Sequence, residues 1–175
     1  MREEQKQALG RWVRDFRLPR YQEIPDVGLY LEQVSKYLSG YLSPVGEVTL
    51  TPSMITNYVK KDLITNPVKK QYSRDQIAHL MFIALAKSVL SLEDLREFIR
   101  LQERTYTTQR AYDYFCDELE NMLPYVFGLT GTVSDVGKDV SDEKTMLRGC
   151  IIAVTHKIYL EKYIRAVAAE CPKDN

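Results

Sequence analysis

The sequence predicts a mainly α-helical protein with one small two-stranded hairpin. Two observations predict it: apolar residues recur at three- and four-residue steps along most of the chain, and one short basic segment at 66–72 departs from that period. The chain has 175 residues, of which 45% are hydrophobic. A domain of this size buries enough surface to fold without disulfides or a structural metal.

The first three helices are predicted over 2–17, 29–42 and 51–61. The first has apolar residues on one helical face, at Leu9, Trp12, Val13 and Phe16. The second follows a proline-containing break and carries Leu31, Val34 and Leu38 on one face. Two residues indicate where the third helix starts: Thr51 offers an N-cap hydroxyl, and Pro52 fits the first helical position.

Four more helices are predicted after the basic segment. They cover 73–89, a region from Ser91 onward, 104–123 and 142–169, with an irregular stretch at 124–141 between the last two. We therefore divide the chain into an N-terminal helix and linker at 1–26, a central unit at 27–90 and a C-terminal helical region at 91–175.

Charge is distributed unevenly although the chain has 24 basic and 24 acidic residues. Between Pro52 and Arg74, five basic residues accompany one acid, Asp62, whereas 91–147 holds twelve acids and six bases. Such asymmetry is a hint of a nucleic-acid-binding face balanced by an acidic remainder.

The central unit has the plan of a winged helix-turn-helix: helix 29–42, turn, short helix 51–61, basic wing 66–72 and helix 73–89. In that architecture the second helix enters the DNA major groove and the wing contacts the flanking backbone. The sequence therefore favours a DNA-binding function for residues 27–90.

Three segments resemble the DNA-binding domain of MerR-type transcription regulators: TPSMITNYVKKDLI at 51–64, KKQYSRDQIAHLMFI at 69–83 and VLSLEDL at 89–95. The sequence departs from that family's pattern at four positions, where Thr56 replaces an arginine, Asn57 a tyrosine, Val59 a glutamate and Asp62 a glycine. The turn at about 39–50 is also longer, and the wing shorter. The whole chain, with IPDVGLYLEQV and NPVKKQYS, is still more similar to an uncharacterised family of Gram-positive bacteria.

The predicted DNA-binding residues are Thr51, Ser53, Thr56, Asn57, Tyr58, Lys60, Lys61, Lys69, Lys70 and Tyr72. Thr51 and Ser53 open a helix whose free N–H groups suit a phosphate. Thr56 and Asn57 are candidates for base edges, and the four lysines would neutralise phosphates. The resemblance adds the two tyrosines, whose side chains are equally well explained as core residues.

The resemblance implies double-stranded DNA as partner and a homodimer, for which helices 104–123 and 142–169 are the candidate interfaces. Two alternatives stay open: a protein–protein adaptor on the same scaffold, and a small-molecule sensor with a pocket in the C-terminal helices. No effector is identified.

We find no enzyme motif and predict no catalytic residue, cofactor or metal site. His79 and His156 are expected at the surface or its boundary. Asp113, Asp117 and Glu120 are expected to form a solvated helix face.

The expected location is the cytoplasm. The start of the chain lacks the apolar stretch of a secretion signal, and the longest apolar run, GCIIAV at 149–154, is too short to cross a membrane. Cys116, Cys150 and Cys171 are odd in number and widely spaced, which suggests reduced thiols.

Overall fold

The protein consists of seven α-helices and one two-stranded sheet in residues 3–46, 48–137 and 140–169, which the computed structural model describes. In chain order the elements are α1 (Glu3–Asp15), β1 (Leu29–Tyr30), α2 (Leu31–Leu42), α3 (Pro52–Lys60), β2 (Gln71–Tyr72), α4 (Arg74–Ala86), α5 (Leu92–Thr105), α6 (Thr108–Val126) and α7 (Asp142–Ala168). The mainly α-helical class is confirmed.

Local capping signals fix where five of the helices begin. In each case a hydroxyl accepts a hydrogen bond from the N–H three residues later, at Thr51, Ser73, Ser91, Thr107 and Ser141. The helix predicted over 104–123 is wrong at its start, because Tyr106 is extended and Thr107 caps a new helix there.

Helix α4 forms the centre of the molecule. Ten of its 13 residues are buried, and it contacts α2, α6 and α7. One hydrophobic core includes Val13 of α1, Leu38 of α2 and Ile151 of α7. The three segments 1–26, 27–90 and 91–175 therefore contribute to a common core.

The two strands pair antiparallel, with Leu29 opposite Tyr72 and Tyr30 opposite Gln71. A two-stranded sheet is thus confirmed, but its first strand precedes α2 and does not lie within 66–72. Segment 66–72 contributes one strand and a tight turn, closed by the Gln71 N–H donating to the Val68 carbonyl at 2.9 Å. The sheet consequently joins the start of α2 to the start of α4.

The turn between α2 and α3 is long, yet contacts hold it at several points. Val45 and Leu50 are buried, and the Ser35 hydroxyl donates to the Leu50 carbonyl at 2.8 Å. Two lysines from other helices donate to the same turn: Lys87 Nζ to the Thr49 carbonyl and Lys162 Nζ to the Pro44 carbonyl. This packing positions α3 against α2.

The three acidic residues of this α6 face bind the linker that follows α1, although Asp117 remains half exposed. Asp113 accepts a hydrogen bond from the Tyr21 N–H at 2.7 Å, and Asp117 pairs with Arg20 at 2.9 Å. Glu120 accepts from the Leu18 N–H and from Arg20. The expectation of a solvated face is wrong for Glu120, whose side chain is 10% exposed, because the linker after α1 docks on it.

None of the described helices combines the length and the apolar character that crossing a bilayer requires.

Candidate nucleic-acid interface

Helix α3 has one buried face and one polar face. Ile55 and Tyr58 are buried, whereas Ser53, Asn57 and Lys60 are exposed. The three exposed residues are spaced i, i+4 and i+7, so they lie on the same side of the helix. Because α3 contains no acidic residue, this face combines hydrogen-bonding groups and positive charge without a competing carboxylate on the helix.

The hydroxyls of α3 make local hydrogen bonds. Thr51 Oγ1 accepts from the Met54 N–H at 3.3 Å, and Thr56 Oγ1 donates to the Pro52 carbonyl at 2.9 Å. The side-chain amide of Asn57 has no hydrogen-bond partner among the described residues. Asn57 is therefore the residue of this face best placed to contact an external donor and acceptor together.

The four lysines that are predicted to contact phosphates lie at two separate places in the unit formed by α2, α3 and the sheet. Lys60 and Lys61 end α3, and Lys69 and Lys70 form the tip of the turn before β2. All four side chains are exposed, and none forms an ion pair within residues 3–46, 48–137 and 140–169. Helix α2 links the two places, because it contacts both α3 and β2.

Arg74, the fifth basic residue between Pro52 and Arg74, makes hydrogen bonds within the protein. Its Nε donates to the Ile24 carbonyl at 2.9 Å, and its Nη1 donates to Gln22 Oε1 at 3.0 Å. Arg74 therefore supports the fold, and the available positive charge resides in the lysines.

The two tyrosines do not belong to the exposed surface. Tyr58 is 3% and Tyr72 4% exposed, and burial raises the pKa of both phenols. Their side chains complete the core beneath α3 and the sheet, which corrects their placement among DNA-contacting residues.

Residues 19–115 match the family described as "Domain of unknown function (DUF1836)". The chain belongs to the DUF1836 family. Searches of curated proteins and of solved structures found no match. The DUF1836 region covers the sheet, helices α2 to α5 and the first part of α6, so it contains the complete polar face of α3 and all four lysines.

Asp62 lies in the turn after α3 of this DUF1836 protein and has a left-handed backbone conformation. Its φ is +56°, in the left-handed region that glycine occupies easily and aspartate tolerates better than most residues. Its carboxylate lies 3.6 Å from Arg100 of α5. Asp62 therefore links the turn after α3 to α5.

Over residues 3–46, 48–137 and 140–169, the remaining titratable groups lack the grouping that a metal site needs. No group of three histidine, cysteine or acidic side chains in the described ranges is placed to hold a metal ion. Cys116 and Cys150 are free and buried, and burial raises the pKa of these thiols to about 12 and about 11. Cys171 lies outside the described residues.

Proposed function

We propose that this protein is a DNA-binding regulator of transcription on a MerR-like winged helix-turn-helix. Helix α3 is the recognition helix, and the turn of Lys69 and Lys70 acts as the wing. The observation that carries the proposal is the acid-free polar face of α3, on which Ser53, Asn57 and Lys60 are exposed together.

Each exposed group matches a contact that DNA offers. The N-terminus of α3, with Thr51 and Ser53, presents backbone N–H groups suited to a phosphate. An asparagine amide pairs bidentately with the N6 and N7 atoms of adenine in the major groove. The lysine pairs at either edge would contact phosphates and fix the orientation of the helix.

The salt dependence of binding tests the four lysines as a set. If all four neutralise phosphates, log K falls with log[salt] at a slope of about −0.9 per contact, or roughly −3.6 in total. Fluorescence anisotropy on a duplex should show that slope, and each of Lys60→Ala, Lys61→Ala, Lys69→Ala and Lys70→Ala should reduce its magnitude by about one. Lys6→Ala on α1 is the matched control and should leave it unchanged. A flat salt response would contradict DNA binding and favour the protein–protein adaptor.

Base recognition is tested separately with Asn57→Ala. Selection from a random duplex library should enrich a sequence for the wild-type protein. Asn57→Ala should lose preference at one base pair, by about 1–3 kcal/mol, with the salt slope preserved. Identical preferences for both proteins would remove Asn57 from the recognition surface.

A homodimer through α7 belongs to the same proposal. This helix has 27 residues and exposes large apolar side chains in its second half, Leu160 at 55% and Ile164 at 62%. Gly149 and Ala153 are exposed in its first half. An antiparallel two-fold pairing places the large side chains of one copy against the small residues of the other, so the face is self-complementary.

Sedimentation velocity tests the dimer. The double variant Leu160→Asp/Ile164→Asp should be a folded monomer and should bind a duplex more weakly. Val140→Asp changes another exposed apolar residue, 94% exposed, and should remain dimeric. A wild-type chain that sediments as a monomer at all concentrations would contradict this part of the proposal.

A further inference from the structure

An apolar groove lies between helices α5 and α7. Its volume is about 420 Å³. A cavity of about 150 Å³ accommodates benzene, so the groove has room for two aliphatic side chains. The apolar side chains that line it include Leu90, Phe98 and Leu101 from the α5 side and Met146 and Cys150 from α7.

The part of the groove that α7 contributes is open to the outside. Gly149 and Ala153 line the groove, and both residues are exposed. A Cβ added to Gly149 would have nothing within 4 Å apart from the adjoining helix backbone. The space above these two small residues can therefore receive a side chain from another molecule.

The second half of α7 carries an exposed apolar ridge formed by Leu160 and Ile164, which are 55% and 62% exposed. Leu160 follows Ala153 by seven residues, and Ile164 follows Gly149 by fifteen. A rise of 1.5 Å per residue separates these pairs by about 10 Å and about 22 Å along one rigid helix. A chain therefore cannot fill its own groove with its own ridge.

We propose that the groove between α5 and α7 is the socket for Leu160 and Ile164 of a second copy of this chain. The inference rests on the homodimer of the proposed function and adds α5 to its interface. The pairs 149/164 and 153/160 have the same midpoint, just after His156, so one two-fold axis at that point superimposes both pairs. The same axis repeats the contact, and both grooves and both ridges are covered together.

The charges beside the two surfaces are opposite in sign. Asp94 and Glu97 line the groove, whereas residues 157–168 of α7 hold three basic residues and one acidic residue. Asp94 and Glu97 already have partners in their own chain, Ser91 and Arg100. The opposite charges therefore contribute a long-range attraction between the copies and no new ion pair.

Gly149→Leu tests whether the groove is used. The new side chain enters open space, so the single chain should stay folded, and its Tm should not fall because leucine favours a helix more than glycine does. The leucine fills the place of Ile164 from the second copy, so the dissociation constant of the dimer should rise at least about tenfold by sedimentation velocity. An unspecific apolar contact would instead be strengthened by the added leucine. Gly40→Leu on α2 is the matched control, since a Cβ at Gly40 also has nothing within 4 Å, and it should dimerise like the wild type.

Leu101→Glu tests the α5 wall of the groove. Leu101 is half-buried, and a carboxylate there should weaken the dimer about tenfold. Leu129→Glu changes an apolar residue outside the groove, 40% exposed, and should leave the dissociation constant unchanged.

A cross-link tests the orientation of the two copies in a Cys171→Ser background, with diamide as the oxidant. Ala153→Cys/Leu160→Cys should form a disulfide between chains, because the two positions are about 10 Å apart within one helix and a disulfide requires Cα atoms within about 7 Å. Neither single variant should cross-link.

The outcomes separate this inference from the dimer itself. A wild-type chain that stays monomeric at all concentrations would overturn both. A dimer that Leu160→Asp/Ile164→Asp disrupts, but that both Gly149→Leu and Leu101→Glu leave unchanged, would retain the dimer and overturn the socket. A disulfide in Leu160→Cys alone would show a parallel pairing and would also overturn the socket.

Discussion

Arg20 and Glu120 form a bidentate ion pair between residues that are 100 positions apart in the chain. Nη1 lies 2.8 Å from Oε1 and Nη2 lies 2.7 Å from Oε2. Glu120 also accepts the Leu18 N–H at 2.9 Å, and its side chain is only 10% exposed. One carboxylate thus satisfies three donors and holds the linker after α1 on α6.

The first prediction concerns this carboxylate. Glu120→Ala leaves the Leu18 N–H without its acceptor and leaves Arg20 with Asp117 as its remaining carboxylate partner, so we expect the free energy of unfolding to fall by about 1–3 kcal/mol. Asp117→Ala removes a neighbouring carboxylate that is 51% exposed and should cost less than about 1 kcal/mol. Urea denaturation followed by circular dichroism measures both. Equal losses would show that Glu120 has no special role in docking the linker.

The second prediction concerns the pH dependence of stability. Burial lowers the pKa of His79 below its ordinary value of 6.5, and Glu103 and Asp75 oppose that shift. The unfolded chain therefore takes up this proton at a higher pH than the folded one, so His79 lowers stability progressively as the pH falls below 6.5.

When the pH is lowered from about 7 to about 5, the free energy of unfolding should therefore fall less in His79→Gln than in the wild type. Urea denaturation at several pH values measures the difference. His156→Gln changes an exposed histidine and should retain the wild-type dependence, because His79 is still present. A slope that is unaltered in His79→Gln would contradict the prediction.

The third prediction separates stability from DNA binding at the wing. Lys69 and Lys70 have φ values of +49° and +65°. Residues other than glycine and asparagine adopt this left-handed backbone conformation only at a cost in free energy. Lys70→Gly should raise the free energy of unfolding by about 1 kcal/mol and weaken DNA binding at low salt.

Lys61→Gly is the control for this effect, since Lys61 has a φ of −90° and offers no strain to relieve. It should weaken DNA binding without raising stability. A Lys70→Gly protein that is less stable than the wild type would contradict the prediction. It would mean that the lysine side chain stabilises the turn by more than the strained backbone destabilises it.

The fourth prediction compares two glycines. A Cβ on Gly28 would lie 2.7 Å from the Cβ of Gln71, across the sheet, whereas a Cβ on Gly40 of α2 has nothing within 4 Å. Gly28→Ala should lower stability by about 1–3 kcal/mol. Gly40→Ala should raise it by about 0.5–1 kcal/mol, because alanine favours a helix. Thermal denaturation checks both, and a neutral Gly28→Ala would mean that the sheet shifts to admit the methyl group.

Much of the fold was predictable because its signals are local. The start of α3 depends on Thr51 and Pro52, which are adjacent, and the start of α4 depends on Ser73 and Gln76, which are three residues apart. The polar face of α3 was predictable for the same reason: helical periodicity alone separates Asn57 from Ile55. The exposure of Asn57 and Lys60 was therefore predictable from the sequence, whereas the burial of Tyr58 and Tyr72 was not.

Other features depend on residues that are far apart in the chain. The strand partner of β2 was missed, because pairing over two residues leaves no alternating pattern and depends on Gly28 fitting beside Gln71. The role of Glu120 was missed because Asp113, Asp117 and Glu120 follow one another at steps of four and three residues, a pattern that is also typical of a solvated helix face.

The sequence by itself determined the α-helical class, the starts of α3, α4 and α5 and the exposed polar face of α3, since each follows from interactions within a few residues. Only the tertiary structure decided that Tyr58 and Tyr72 are buried and that the linker docks on α6. The physical reason is that burial and docking depend on which surfaces meet, and segments separated by a hundred residues specify that contact jointly.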